Sequence, residues 1–266
     1  MKSRKNWIFL FVALLTLLLW LGAAGFGRSS GISSSAAESR FEYFRGKVAE
    51  ERKAQAEAVD ESFLSQVKAG AAKRLDFGDG VYLDLIKVGE GTNSYYLGRY
   101  EVTQEQYRLV MGKNPSHYKK GGWKQHPVEK VSWNDAMEFC EILNAAFGEE
   151  MGDYVFTLPT EAQWKKAAYA GQETEFSGGN NLYAVGWYDV NSDGHTHPVG
   201  QKQPNDWGFY DMSGNVYEWC LDADGSYRAS RGGSWDDLAG FCRVDYDFRR
   251  LPYDYSLGFR VAASLP

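Results

Sequence analysis

Beyond Gly171 the chain runs for about 95 residues with almost no apolar periodicity, yet this stretch is dense in Gly, Trp, Tyr, Asn and Asp. No other feature constrains the fold as strongly. Long structureless runs are uncommon inside compact domains. Such a run can still pack if its aromatics fill the interior, since each one buried removes roughly 150–250 Å² from water. The expectation is a loop-rich but packed domain that needs extra staples, a metal ion being one candidate.

Regular structure is legible upstream of that point. Residues 81–88, VYLDLIKV, alternate as a strand does. Thr103 and Gln106 form a capping box ahead of a short helix. A longer helix follows Ser132, with Ala136, Phe139, Cys140, Leu143 and Phe147 at helical spacing. A strand, a turn at Pro159 and a helix capped by Thr160 and Gln163 come next. The fold class is therefore α+β, with two main helices, short antiparallel strands and long loops, over residues 75–266.

The N-terminus speaks of export. Lys2, Arg4 and Lys5 precede 22 uncharged residues, 6–27, with small residues at Gly22, Ala23 and Ala24. Residues 1–27 fit a cleaved signal peptide, and as a helix of ~33 Å they equally fit a retained membrane anchor. No Cys closes the apolar run, which excludes a lipid-anchored lipoprotein. Either way the protein belongs to the cell envelope or cell surface. Residues 28–74 read as a small, polar linker followed by a stalk helix rich in Ala, Glu and Lys. A net charge of −6 argues against nucleic acid as a partner. Three cysteines are too few for a disulfide scaffold and lack zinc-site spacing.

The text "PNDWGFYDMSGNVYEWC", followed by "SRGGSW" and "LGFRVA", resembles the formylglycine-generating enzyme (sulfatase-modifying factor) family. Upstream, "YEVTQEQY", "HPVEKVSWNDAMEFC" and "LPTEAQWKKAAYAG" match the same family in order, so the resemblance covers roughly residues 78–266. It implies a C-type-lectin-like fold. In "DMSGNVYEW", Asp211 and Glu218 offer carboxylates and Gly214 and Val216 offer carbonyls, an oxygen-only set that suits Ca²⁺. The resemblance implies calcium at the matching positions; the alternative is that Asp211 caps a turn and Glu218 pairs with an Arg. Family enzymes oxidise a substrate cysteine with copper held by two cysteines. Counting from Gly233, the second falls on Cys242 but the first on Asp237, and copper(I) prefers paired thiolates. Copper and the oxidoreductase reading thereby lose a ligand. Of the four histidines, His117, His126, His195 and His197, the last two could share a strand face as iron ligands. No third ligand is evident, and a surface pair is preferred. Cys220 and Cys242 are candidates for a disulfide, with two buried thiols as the alternative, and Cys140 reads as core.

The segment 236–257 has five aromatics and five Asp in 22 residues but no Lys, Glu, Gln, Met or Trp. Those types make up about a fifth of the chain, so composition alone yields such a gap in roughly one stretch in two hundred. They are also the five amino acids that no codon ending in cytosine encodes. This restriction resembles the variable proteins of diversity-generating retroelements, whose adenine-directed substitutions leave NNC codons at ligand-facing positions of a C-type-lectin-like fold. The resemblance makes Asp236, Asp237, Leu238, Gly240, Phe241, Asp245, Tyr246, Asp247, Phe248, Arg249, Arg250, Leu251, Tyr253, Asp254, Tyr255 and Ser256 the candidate ligand-binding positions. Ala239, Cys242, Arg243 and Pro252 would be fixed scaffold. The stretch from Pro252 to Gly258 is about two residues shorter than the variable-protein pattern. Mixed Tyr, Asp and Arg is paratope-like chemistry, and the partner would be a protein or cell-surface ligand. Two other readings stand beside it: a sulfatase-modifying-type oxidoreductase, active or degenerate, and a structural subunit assembled through its stalk.

Overall fold

Capping chemistry sets where the helices begin. A computed structural model describes residues 61–119, 121–250 and 257–266. Before α2 (Gln104–Met111), Thr103 Oγ1 accepts the Gln106 N–H at 3.2 Å, and Gln106 Oε1 accepts the Thr103 N–H at 2.7 Å. The same reciprocal box at Thr160 and Gln163 opens α4 (Glu161–Tyr169). Ser132 accepts the Asp135 N–H at 3.1 Å and starts α3 (Trp133–Met151), which buries Ala136, Phe139, Cys140 and Leu143 as its spacing predicts.

Nine short strands form two sheets among the described residues. The first joins β1 (Ala72–Asp76), β2 (Tyr82–Val88), β3 (Tyr95–Gly98), β9 (Ala262–Ser264) and β4 (Val155–Thr157) in that order, all antiparallel. β2 is buried on both faces. Leu83 and Leu85 join a core with Phe139, Leu143 and Trp219, while Ile86 and Val88 join a second core with Trp164 and Phe209. Its alternation thus separates two apolar cores, not a wet face from a dry one. Asp84, which falls on this strand, is neutralised by Arg74 at 2.7 Å and Arg99 at 3.8 Å.

The second sheet runs β7 (Phe248–Arg250), β6 (Tyr227–Arg231), β5 (Tyr217–Asp224) and β8 (Leu257–Gly258). β8 pairs with β5 in parallel, a departure from the all-antiparallel expectation. Between α4 and β5 the only helix is the four-residue α5 (Leu182–Val185), so the aperiodic stretch is loop-rich and packed, as its aromatics require.

The boundary expected at residue 75 moves. Residues 61–68 are helical (α1), and Phe63 from the expected stalk is buried in the second core, with Val67 packed against that core. The Arg99 and Arg74 guanidinium groups lie 4.6 and 5.2 Å from the Phe63 ring. The Phe63 and Val67 stripe is therefore a domain face. The expected signal or anchor, 1–27, and the linker lie outside the described residues, as do Leu251, Tyr253, Asp254, Tyr255 and Ser256. Among the described residues no helix is long and apolar enough to cross a membrane.

Candidate functional site

The "DMSGNVYEW" loop is a braced turn. Gly214 has φ +92°, and a Cβ there would sit 2.1 Å from the Trp187 carbonyl oxygen, so only glycine fits. Asn215, also at positive φ, donates from Nδ2 to Glu101 at 2.7 Å and accepts the His197 N–H at 3.0 Å. Its carbonyl accepts the Trp235 N–H at 2.9 Å. Val216 N–H donates to the other Glu101 oxygen at 3.1 Å.

Glu218 is already paired inside the domain. Arg260 Nε and Nη2 each reach it at 2.6 Å, and Trp164 Nε1 donates to it at 2.6 Å, all three residues being fully buried. Asp211 accepts the Gly200 N–H at 2.7 Å through Oδ2, and its buried Oδ1 has no partner among the described residues. Burial pushes the Asp211 pKa up to about 6 and holds Glu101 well above the usual carboxylate range. Among the described residues no group of three or more His, Cys, Asp or Glu is arranged to hold a metal ion. Glu218 has an arginine partner, the alternative left open by the sequence, while Asp211 Oδ1, Gly214 and Val216 supply the other oxygens of the set.

For copper, a single cysteine, Cys242, stands at the expected pair of positions, with Asp237 at the other. Cys242 is buried, and burial, followed by the nearby Asp237 charge, pushes its thiol pKa far up. Asp237 is half-buried and accepts the Ser234 hydroxyl. The disulfide is also corrected. Cys220 and Cys242 are free buried thiols in different apolar clusters, Cys220 with Trp164 and Ala229, Cys242 with Phe176, Leu182 and Val185. Cys140 is core.

The segment 236–250 is laid over this frame. Asp236, Leu238, Gly240, Asp245, Asp247 and Arg249 are exposed, and Asp237, Phe241, Tyr246, Phe248 and Arg250 are half-buried. Between them Cys242 and Val244 are buried, while Ala239 and Arg243 are half-buried. Three candidate aromatics form a row: Phe241 to Tyr246 at 5.1 Å and Tyr246 to Phe248 at 6.0 Å, ending on Tyr217 at 5.6 Å. Phe248, Arg249 and Arg250 are strand β7, with Phe248 paired to Ser230 in register. Arg249 donates to Glu161 at 2.9 Å, and Arg243 to Asp245 at 2.9 Å and Glu175 at 2.5 Å. The result is a firm, mixed aromatic and charged surface.

A histidine cluster that the sequence did not disclose lies behind its start. His195 and His197 are half-buried, not a free surface pair, with rings 4.6 Å apart, and His197 stacks on Trp187 at 3.8 Å. His126 joins them through Thr196 Oγ1 at 3.0 Å. Burial first, then the neighbouring imidazoles, lowers the His126 pKa to about 4. Glu101, Asn215 and Arg260 were likewise unassigned, although Glu101 and Arg260 sit inside the quoted "YEVT" and "LGFRVA" texts. A buried charge inside an apolar motif was the available signal.

Variable protein 1 of Treponema denticola shares this architecture, with a TM-score of 0.66 and 29% identity over 73% of this chain and 99% of that one. PvdO from Pseudomonas aeruginosa shares the fold, with a TM-score of 0.55 over 73% of this chain and 91% of that one. Chaperone protein LppX of Paenibacillus barcinonensis is 31% identical over 211 residues, covering 58% of this chain and 74% of that protein. The formylglycine-generating enzyme of Streptomyces coelicolor is 33% identical over 179 residues, covering 53% of this chain and only 54% of the enzyme. The fold is the C-type-lectin-like α+β fold expected of such relatives. The model of the sulfatase-modifying factor enzyme 1-like domain matches residues 87–265, and the chain belongs to that family.

Proposed function

We propose that this is an exported, surface-displayed ligand-binding protein whose residues 236–257 are diversified by a retroelement. One observation carries the reading: across 236–250, every candidate position is exposed or half-buried, whereas the intervening Cys242 and Val244 are buried. Codon-like restriction and surface placement thus coincide in one segment. The similarity to a variable protein at 29% identity supports the same conclusion. The rigid aromatic row suits recognition of a macromolecular ligand, since ordered Tyr and Phe lose little entropy on binding. Export rests on the cationic and apolar start of the chain.

The family also includes enzymes, and an oxidoreductase is the second reading. Against it, Asp237 stands where a copper-binding cysteine is expected, and Cys242 is held as a thiol. The decisive test is the neighbouring DNA. A near-copy of the codons for residues 231–260, carrying AAC at the candidate positions and lying beside a reverse transcriptase gene, is expected. Should no such repeat exist, and the copper-loaded protein oxidise cysteine peptides, the enzyme reading takes its place.

A further inference from the structure

The three most exposed large apolar residues among the described residues lie on α5 and on two loops that hydrogen bonds hold together. They are Val190 at 67%, Leu238 at 63% and Tyr183 at 59%, against 48% for the next, Tyr227. Asp189 N–H donates to the Asp237 carbonyl at 3.1 Å, one residue before Val190 and one before Leu238. Asn191 Nδ2 reaches the Tyr183 carbonyl at 3.5 Å, closing the third side. Ser192 Oγ donates to the Trp235 carbonyl at 2.8 Å, so the loop that follows α5 is tied to the start of the candidate segment. An exposed apolar cluster on a well-braced surface marks an interaction site.

Its electrostatics restrict the partner. Residues 186–200 and 232–242 contain four Asp and no Lys or Arg. Asp189, Asp193 and Asp236 are exposed. The nearby cation Lys202 is half-buried and held on two rings: its Nζ lies 3.8 Å from the Trp187 ring centre and 4.9 Å from the Tyr183 ring centre, and donates to the Tyr183 carbonyl at 2.7 Å, leaving three exposed Asp against one Lys. An anionic membrane or a nucleic acid would be repelled. We propose that Tyr183, Val190 and Leu238 form one apolar contact, rimmed by Asp189, Asp193 and Asp236, that docks a protein segment presenting an apolar side chain between Lys or Arg residues. This rests on the binding reading above and adds to it a constant part of the surface, because Tyr183 and Val190 lie outside 236–257. Diversification would then tune an attachment in which Tyr183 and Val190 do not vary.

The test uses the full-length chain in zwitterionic nanodiscs and two synthetic peptide sets. Each peptide has a central Leu or Trp, flanked by Lys and Arg in one set and by Asp and Glu in the other. Fluorescence anisotropy should show binding of the basic set only, weakened at least tenfold by Tyr183→Ser with Val190→Ser, and less salt-sensitive after Asp189→Asn with Asp193→Asn. Both pairs are exposed, and unchanged melting temperatures would verify that the variants fold. The proposal is overturned if neither set binds, if the acidic set binds equally, or if the double serine variant binds as tightly as the parent. Self-association that masks the patch would assign it to a second copy and also overturn it. Should Leu238→Ser and other changes within 236–250 abolish binding while the double serine variant does not, the variable-loop reading survives and this one fails. Loss of binding with the double serine variant and with Leu238→Ser, but not with other changes within 236–250, keeps this inference and removes the other.

Discussion

At the scale of single residues, the frame and the surface differ in what an alanine should cost. Trp219 and Phe259 are fully buried, Trp219 donating from Nε1 to the Val131 carbonyl at 2.8 Å. Replacing either by Ala should lower stability by about 3–5 kcal/mol through the cavity left behind. Asp236 and Leu238 are exposed, and their replacement should stay within about 0.5 kcal/mol. Phe248 falls between these: half-buried against Tyr217 and the first core, it should cost about 1–3 kcal/mol. Chemical denaturation of the five variants checks the order. If Asp236→Ala and Leu238→Ala unfold the domain as Trp219→Ala does, the segment is core and not a binding surface. Gly233 shows how tightly scaffold and surface are joined: a Cβ there would sit 2.7 Å from Cys242 Sγ, at φ +73°.

At the scale of elements, the loop carrying His195 and His197 is the acid-sensitive support of the surface. His126 is held near a pKa of 4 in the folded protein, against about 6.5 when unfolded. The unfolded chain therefore takes up that proton first as the pH falls. The contribution of His126 is complete above pH 6.5 and is lost progressively from there down to about 4. His197, also lowered by burial, acts in the same direction. Asp211 opposes them: its folded pKa of about 6 lies above the ordinary 3.8, so its stabilising effect is present in acid and lost as the pH rises through that interval. Glu101, held well above the usual carboxylate range by burial, opposes the histidines as Asp211 does, so the His126 share is read by difference: relative to the parent, His126→Asn should gain melting temperature as the pH falls from 6.5 to 4. An unaltered profile in the variant would remove His126 from the account.

Across the described residues, two sheets and two main cores are locked together by a buried charge cluster. Arg260, from the loop between β8 and β9, reaches Glu218 on β5, the Gly98 carbonyl on β3 at 2.9 Å and the Tyr210 carbonyl at 3.0 Å. It thereby ties the two sheets to the long loop. A resident metal would stabilise the native state by mass action. With Glu218 already neutralised, the melting temperature of the domain should not respond to a chelator or to added calcium. A shift of several degrees in calorimetry would restore the calcium site and require Arg260 to move. Breaking a buried pair strands a charge in a low-dielectric interior, so Arg260 is the point on which the assembly of the domain depends.

The sequence by itself determined the elements whose causes are local. Thr103 with Gln106 and Thr160 with Gln163 declare helix starts because a capping box needs only residues three apart. The α3 core face follows from a repeat within one helix. The restriction in 236–257 was legible because it lies in residue identity and needs no contact to be seen. Only the tertiary structure decided what depends on distant partners. Glu218 could have been a ligand or half of an ion pair, and Arg260, 42 residues on, made it the latter. Cys220 and Cys242 were assigned to separate cores by packing that no spacing encodes. Phe63 and Val67 fell within the expected stalk helix until β1 and Arg99 supplied the surface against which Phe63 is buried. The His126 cluster and the patch of Tyr183, Val190 and Leu238 each join segments far apart in the chain. Such contacts cost loop-closure entropy that the finished fold offsets, and nothing in a local run of residues reveals them.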